Sequence, residues 1–225
     1  MLEYIDPREF RSVEEREAEV IAKLKRICDY AWRNAPAYKK LFDEAGFTPS
    51  QLKTMTDMEK IPKVTRDDIV KMQRETPPFG GFLTVPPEKL KRIYVHPGPQ
   101  YETMTDADVE QTSRAIWKIG LRPGDIVINT VAYHLVPAGL LIDGALIAMG
   151  ITVVPSGTGN TELQVQVMHD LKVTGVIAFP LFLMNIVKRA EEMGYDFKRD
   201  FNLKIALAVG ASPVRTSLEQ DYGID

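Results

Sequence analysis

The sequence is poor in the residues that metal and redox chemistry require. It has one cysteine, Cys28, so neither an internal disulfide nor a thiolate cluster can form within the chain. Its three histidines, His96, His134 and His169, lie far apart, and none has a ligand spacing such as H-x-x-x-H. No metal site is expected. Positive charge is not in excess: Lys and Arg number 28 against 31 Asp and Glu, a formal net charge of -3. That balance argues against nucleic acid or an anionic membrane as the main partner. Long apolar runs are missing too. The longest, residues 135–151, is broken by Pro137, Gly139, Asp143 and Gly144, too often to span a bilayer. Residues 1–11 are charged and lack the apolar core of a signal peptide. A single cysteine and no export signal fit a reducing cytoplasm. No G-x-G-x-x-G opens a helix after a strand, which argues against a dinucleotide-binding enzyme. Internal repeats and low-complexity segments are also absent.

What remains is 225 residues of ordinary globular composition. Residues 1–80 read as an N-terminal helical segment. Ser12 and Glu15 have the spacing of a capping box, and Val20, Leu24, Ile27, Cys28 and Ala31 share one helical face. Pro36 should end that helix near Asn34. A second helix is expected over residues 38–45, stopping at Gly46, and a third from Thr65 to about Met72. Residues 76–81, with two prolines and two glycines, mark a linker.

From residue 81 onward the pattern is α/β. Apolar strand-like runs at residues 90–95, 126–132, 151–154, 175–179 and 203–209 alternate with helical stretches near 105–120, 138–149, 161–171 and 181–193. The helix at 105–120 should bury Val109, Thr112, Ile116 and Ile119. Strands alternating with helices predict a mainly parallel sheet with helices on both faces. The strands lack polar alternation, as doubly covered strands do. Residues 1–80 and 81–225 are expected to form one structural unit. Ligands in such sheets bind beyond the carboxyl ends of the strands. Those ends fall at residues 96–99, 132–137, 155–160, 180 and 210–213.

The motifs, in order, carry a resemblance. The stretch from Tyr30 to Tyr38, followed by residues 42–46, resembles the N-terminal helices of phenylacetate–CoA ligases. Residues 61–68 are similar to that family's P-x-T-x-K/R-x-D phrase, and Arg122-Pro123-Gly124-Asp125 to its R-P-G-D turn. Residues 150–155 and 161–166 resemble its G-x-T-V-V-P and T-E-x-Q segments, and Gly210-Ala211-Ser212-Pro213 its G-A-E-P turn. Each motif is weak alone; their unbroken order is what identifies the chain as resembling this adenylate-forming family.

The resemblance implies part of the N-terminal domain of an AMP-forming acyl–CoA ligase. It implies a carboxylic acid or acyl-type small molecule and CoA as ligands, with ATP, AMP and Mg²⁺. Tyr133, His134, Val136, Gly210 and Ala211 match its substrate pocket. His96, Gly98, Ser212 and Pro213 fall at its nucleotide positions. Two departures stand out. The family's hydroxyl-, glycine- and lysine-rich phosphate loop is replaced by residues 96–102, in which Gly98 remains and Pro97 and Pro99 each lack a backbone N–H. The family's Y-G-x-S/T-E segment, ribose-binding aspartate, hinge and lysine-bearing small domain are expected beyond Asp225. No catalytic residue is therefore assigned.

Blander readings stand beside these. Tyr133 and Val136 also suit core packing at a strand end, and His134 and His96 suit solvated turns. Residues 156–160 read as a strand-to-helix loop capped by Asn160 or Thr161. Ser212 and Pro213 suit the N-cap and N1 positions of a helix. Met72, Met104, Met149 and Met168 read as core filler. The sequence thus leaves two functions open. One is a ligase module that acts with a complementary C-terminal part; the other is a non-catalytic binding or assembly subunit on the same scaffold. Either predicts a homo-oligomer or a complementary subunit, because a bare domain core is rarely tolerated.

Overall fold

The computed structural model describes residues 10–208 and 213–224. The chain falls into two compact units, Met1–Thr103 and Met104–Asp225.

The first unit opens with helix α1, Val13–Asn34. Its start is the expected box. Ser12 Oγ accepts from the Glu15 N–H at 3.2 Å, and the Glu15 carboxylate accepts from the Ser12 N–H at 2.9 Å. Pro36 ends α1 and begins α2, Pro36–Glu44, two residues earlier than expected, because proline is well placed in a first helical turn. The buried face of α1 is rotated from the expected one. Ile21 and Cys28 are buried, whereas Val20 is exposed and Ile27 is 57% exposed. The reason is tertiary. Cys28 packs with Phe42, Phe47 and Leu52, and Leu24, Trp32 and Tyr38 close around them. Phe42 and Phe47 meet edge to face at 4.8 Å. Burial pushes the Cys28 thiol pKa up. Helix α3, Arg66–Glu75, begins at Thr65 with a reciprocal Thr65–Asp68 cap, and runs a turn past Met72 until Pro77 intervenes. The strand expected at 90–95 is shorter and later: β1, Tyr94–His96, pairs antiparallel with β2, Gln100–Glu102.

The second unit is the α/β sheet. After α4 (Asp106–Lys118) come β3 (Ile126–Asn129), α5 (Ala138–Ala148), β4 (Thr152–Val154), α6 (Thr161–Asp170) and β5 (Gly175–Ala178). Then follow α7 (Pro180–Glu192), the short α8 (Phe197–Asp200), β6 (Ile205–Ala208) and α9 (Arg215–Tyr222). The four strands β3 to β6 are parallel, in the order β4-β3-β5-β6. Right-handed crossovers then require α5 on one face and α6 and α7 on the other. Accordingly α4 packs on α5, and α6 packs on α7. The core under α6 and α7 contains Ile128, Val165, Met168, Val176, Leu183 and Ile186. Helix α4 buries Ile116 as expected, but Ser113 takes the place expected of Ile119, which is exposed. Ser113 fits because its hydroxyl donates to the Val109 and Ala145 carbonyls, so the polar group is satisfied where α4 meets α5. Met149 and Met168 are buried in the way core fillers are. Strand β6 lies at a sheet edge and contains only Ile, Ala and Leu.

Candidate functional site

The strand order reverses direction at one point among the described strands. From β3 the chain passes through α5 to β4 on one side; from β5 it passes through α7 to β6 on the other. The carboxyl ends of β3 and β5 are therefore the switch point of the sheet, where ligands bind in open α/β folds.

Asn129, the last residue of β3, is fully buried and organises this end of the sheet. Its Nδ2 donates to the Tyr133 hydroxyl at 2.9 Å and to the Gly139 carbonyl at 3.1 Å, while its Oδ1 accepts from the Val131 N–H. Thr130 stitches the two strand ends together, donating its N–H and its hydroxyl to the Ile177 carbonyl. The first turn of α5 lies hard against this segment. A Cβ on Gly139 would stand 2.4 Å from the Ala132 carbonyl oxygen, so only glycine fits.

Tyr133 is half-buried and fixed at its tip. Its hydroxyl donates to Asp143 Oδ1 at 3.0 Å while accepting from Asn129. Burial raises its pKa well above that of an ordinary tyrosine. The hydrogen bond to Asp143 and the charge of Asp143 add to the rise, and the Asn129 amide partly opposes it. The phenol is therefore a neutral group throughout the physiological range. His134 is exposed and Val136 half-buried. Between them Leu135 has φ of 60°, and the Val136 N–H donates back to the His134 carbonyl at 2.7 Å, forming a γ-turn that leaves Leu135 69% exposed.

The loop after β4 joins the same network. The Asn129 carbonyl accepts from the Gly157 N–H at 3.0 Å and from Ser156 Oγ at 3.2 Å. Gln164, buried on α6, donates its Nε2 to Ser156 Oγ and to the Gly157 carbonyl. Its Oε1 is buried with no partner. Asn160 occupies the N-cap position of α6 as expected, but makes no side-chain cap bond. Its φ of 52° is left-handed, whereas a capping asparagine has extended backbone.

Tyr133, His134 and Val136 thus fall on one segment just beyond the carboxyl end of β3. Gly210, Ala211 and Ser212 lie outside the described residues. Pro213 does not begin a helix: it sits in a turn, and α9 starts at Arg215 with Val214 at its N-cap. Sequence reasoning missed Asn129, Asp143, Ser156 and Gln164. A signal existed for two of them. Asp143 is the one charged side chain in α5, and Asn129 ends an otherwise aliphatic strand.

His96 and Gly98 belong to the first unit, where residues 96–102 form a tight hairpin. Arg66 donates to the Pro97 carbonyl, and its guanidinium lies 3.3 Å from where a Cβ on Gly98 would stand. Gln73, buried on α3, clamps Tyr101 through both backbone groups at 2.8 Å each. His96 and Glu102 pair across the hairpin at 2.5 Å. Arg66 is thereby committed to the loop's own backbone. Pro97 and Pro99 have no N–H to offer a phosphate. Among the described residues no cluster of His, Cys, Asp and Glu could hold a metal ion, and no helix is long and apolar enough to cross a membrane.

No family model matches the sequence. Curated relatives do. The phenylacetate–coenzyme A ligase of Aromatoleum evansii is 32% identical over 98% of this chain and 51% of its own length. That of Pseudomonas putida is 30% identical over 98% and 52%. The chain thus spans about half the length of the curated relatives it matches. Among solved structures, 2-hydroxyisobutyryl-CoA ligase in the postadenylation state with 2-HIB-AMP superposes with a TM-score of 0.89 at 26% identity. The match covers 95% of this chain and 48% of that one. The same ligase in an open conformation, with 2-HIB-AMP and CoA, gives a TM-score of 0.88.

Proposed function

The chain belongs with the phenylacetate–CoA ligases of the adenylate-forming class, and from that premise we propose that it is a divergent N-terminal part of an AMP-forming acyl–CoA ligase. One observation carries the reading. Nearly the whole chain superposes on a ligase holding an acyl-adenylate, and its parallel sheet has the switch point at which ligands bind in such folds. Tyr133, His134 and Val136, with Gly210 and Ala211, make up the acyl pocket in this reading. His96, Gly98, Ser212 and Pro213 occupy degenerate nucleotide positions. ATP, AMP, CoA and Mg²⁺ enter by relation to the ligases. Adenylation needs two anions brought together, chiefly by positioning and charge stabilisation. In this reading a complementary part, or a second subunit that supplies it, provides the groups that the first unit's hairpin does not.

A second reading is favoured by that hairpin. With Arg66 committed to Pro97 and Gln73 to Tyr101, the loop is suited to structure rather than to phosphate. The scaffold would then bind an acyl-type molecule or a partner without turning over ATP. Pyrophosphate release separates the two. The chain is assayed with ATP, Mg²⁺ and arylacetates, alone and with a complementary C-terminal half of a related ligase. Release with the complement supports the ligase module. Acid binding without release in either format supports the non-catalytic subunit, and no binding of any acid rejects the ligase module and the acyl-binding form of the second reading.

A further inference from the structure

We propose that helix α1 is a homodimerisation surface, pairing antiparallel with α1 of a second copy of this chain about Val20. The proposal stands apart from the ligase reading and does not depend on it.

Leu24, Cys28 and Trp32 hold the second half of α1 to its own unit. The first half is different: every residue from 13 to 18 is exposed. Along the helix runs an apolar line that its own unit leaves bare. Val13, Val20 and Ile27 are 53%, 39% and 57% exposed. Seven residues are nearly two helical turns, so these three side chains fall on one face, within about 40°. Phe10 lies three residues before Val13, and Tyr30 three residues after Ile27; both are exposed. The line therefore has an aromatic residue at each end and is symmetric about Val20. Exposed apolar side chains scattered singly need no explanation, but a line of them repeating at seven residues is the pattern that helix pairing uses.

The charges decide the occupant and its direction. Apart from Arg16, the charged residues from 14 to 19 are acidic: Glu14, Glu15, Glu17 and Glu19. Apart from Asp29, those from 23 to 33 are basic: Lys23, Lys25, Arg26 and Arg33. An identical helix laid antiparallel about Val20 sets the acidic half beside the basic half at both ends. Glu14 comes level with Arg26 of the second copy, Glu17 with Lys23, Val13 with Ile27 and Phe10 with Tyr30. Lys23 also pairs with Glu19 of its own helix, and a surface pair of that kind is weak enough to share. A parallel copy would set acid beside acid and base beside base, which is repulsive. A partner of one charge sign would suit only half of the helix.

A contact one helix long is small, so the dimer should be weak, with Kd on the order of 10 μM. Sedimentation equilibrium of the chain across that range should show reversible association to a dimer. Raising the salt from about 0.05 to about 0.5 M should weaken it several-fold, because the charges lie at the surface. Val20→Cys reads the geometry. With oxidised glutathione it should cross-link to itself, since residue 20 meets its own symmetry mate. Val13→Cys should not, because its two copies stand about 21 Å apart along the pair, yet it should cross-link when mixed with Ile27→Cys. All three positions are exposed, so these substitutions leave the core of the unit intact. A chain that stays monomeric to about 300 μM overturns the proposal. So does Val13→Cys cross-linking to itself as readily as Val20→Cys. A dimer that Val20→Glu fails to weaken by about tenfold is built on another surface and overturns it as well.

Discussion

Two loops that follow strands in this protein are built on opposite plans. The hairpin of the first unit, residues 96–102, turns its polar groups inward: Arg66 binds the Pro97 carbonyl, and Gln73 stands in as a strand partner for Tyr101. The segment after β3, residues 130–137, is held through Asn129 and Tyr133, and its network ends on the Asp143 carboxylate. Both are pinned by side chains from outside the loop. The hairpin is held through its backbone groups, whereas the segment after β3 is also held through a side chain, the Tyr133 hydroxyl. A clamp on the backbone fixes the path of the chain; a clamp on a side-chain tip fixes what the loop displays.

The comparison can be broken by substitution. The largest effect is expected at Gly139. Gly139→Ala drives a methyl into the Ala132 carbonyl and should cost about 3 kcal/mol in urea unfolding, since backbone cannot step aside as a side chain does. Gln73→Ala comes next. It leaves the Tyr101 N–H and carbonyl without their partner and should cost about 2 kcal/mol, with faster amide exchange confined to the hairpin.

Tyr133→Phe should cost about 1 kcal/mol, the net worth of its hydroxyl bonds. It also carries a pH signature. The folded phenol pKa is raised, so the Tyr133 contribution is whole below the unfolded value of about 10 and is lost as pH rises through the folded value. The stability gap between wild type and Tyr133→Phe should therefore narrow above pH 10, and the last tyrosinate to form in an ultraviolet titration should be missing from the variant. The smallest effect belongs to Glu102→Gln. The His96–Glu102 pair is partly exposed, so its loss should change stability by less than about 0.5 kcal/mol. A larger loss there would show that charge, not the Gln73 clamp, holds the hairpin.

Much of the second unit was legible in the sequence. Its strands are short aliphatic runs and several of its helices begin at a proline or end at a glycine, so order and type follow from local pattern. Strand ends were set too late at residues 132 and 179 because Val131, Ala132 and Phe179 are apolar for reasons other than pairing. The hairpin pair β1–β2 escaped notice because its second strand is polar and its partner on the far side is a glutamine side chain. The face of α1 was misplaced because two adjacent apolar lines were available and only the aromatic cluster around Phe42 chooses between them. At the candidate site Tyr133 was named from resemblance. The residues that hold it were not, since Asn129 and Asp143 are separated by 14 positions and meet only once α5 folds back over β3.

The order in which the sheet is laid down has a last consequence. Asn129 and Thr130 tie together the ends of the two central strands, whereas β6 lies at an edge among the described residues and offers an aliphatic ribbon. Strands added beyond β6 would widen the sheet without touching Asn129, Tyr133 or Asp143. Such a sheet can grow outward from a finished hydrogen-bond network, so the strand ends and the attachment of further structure can be altered separately.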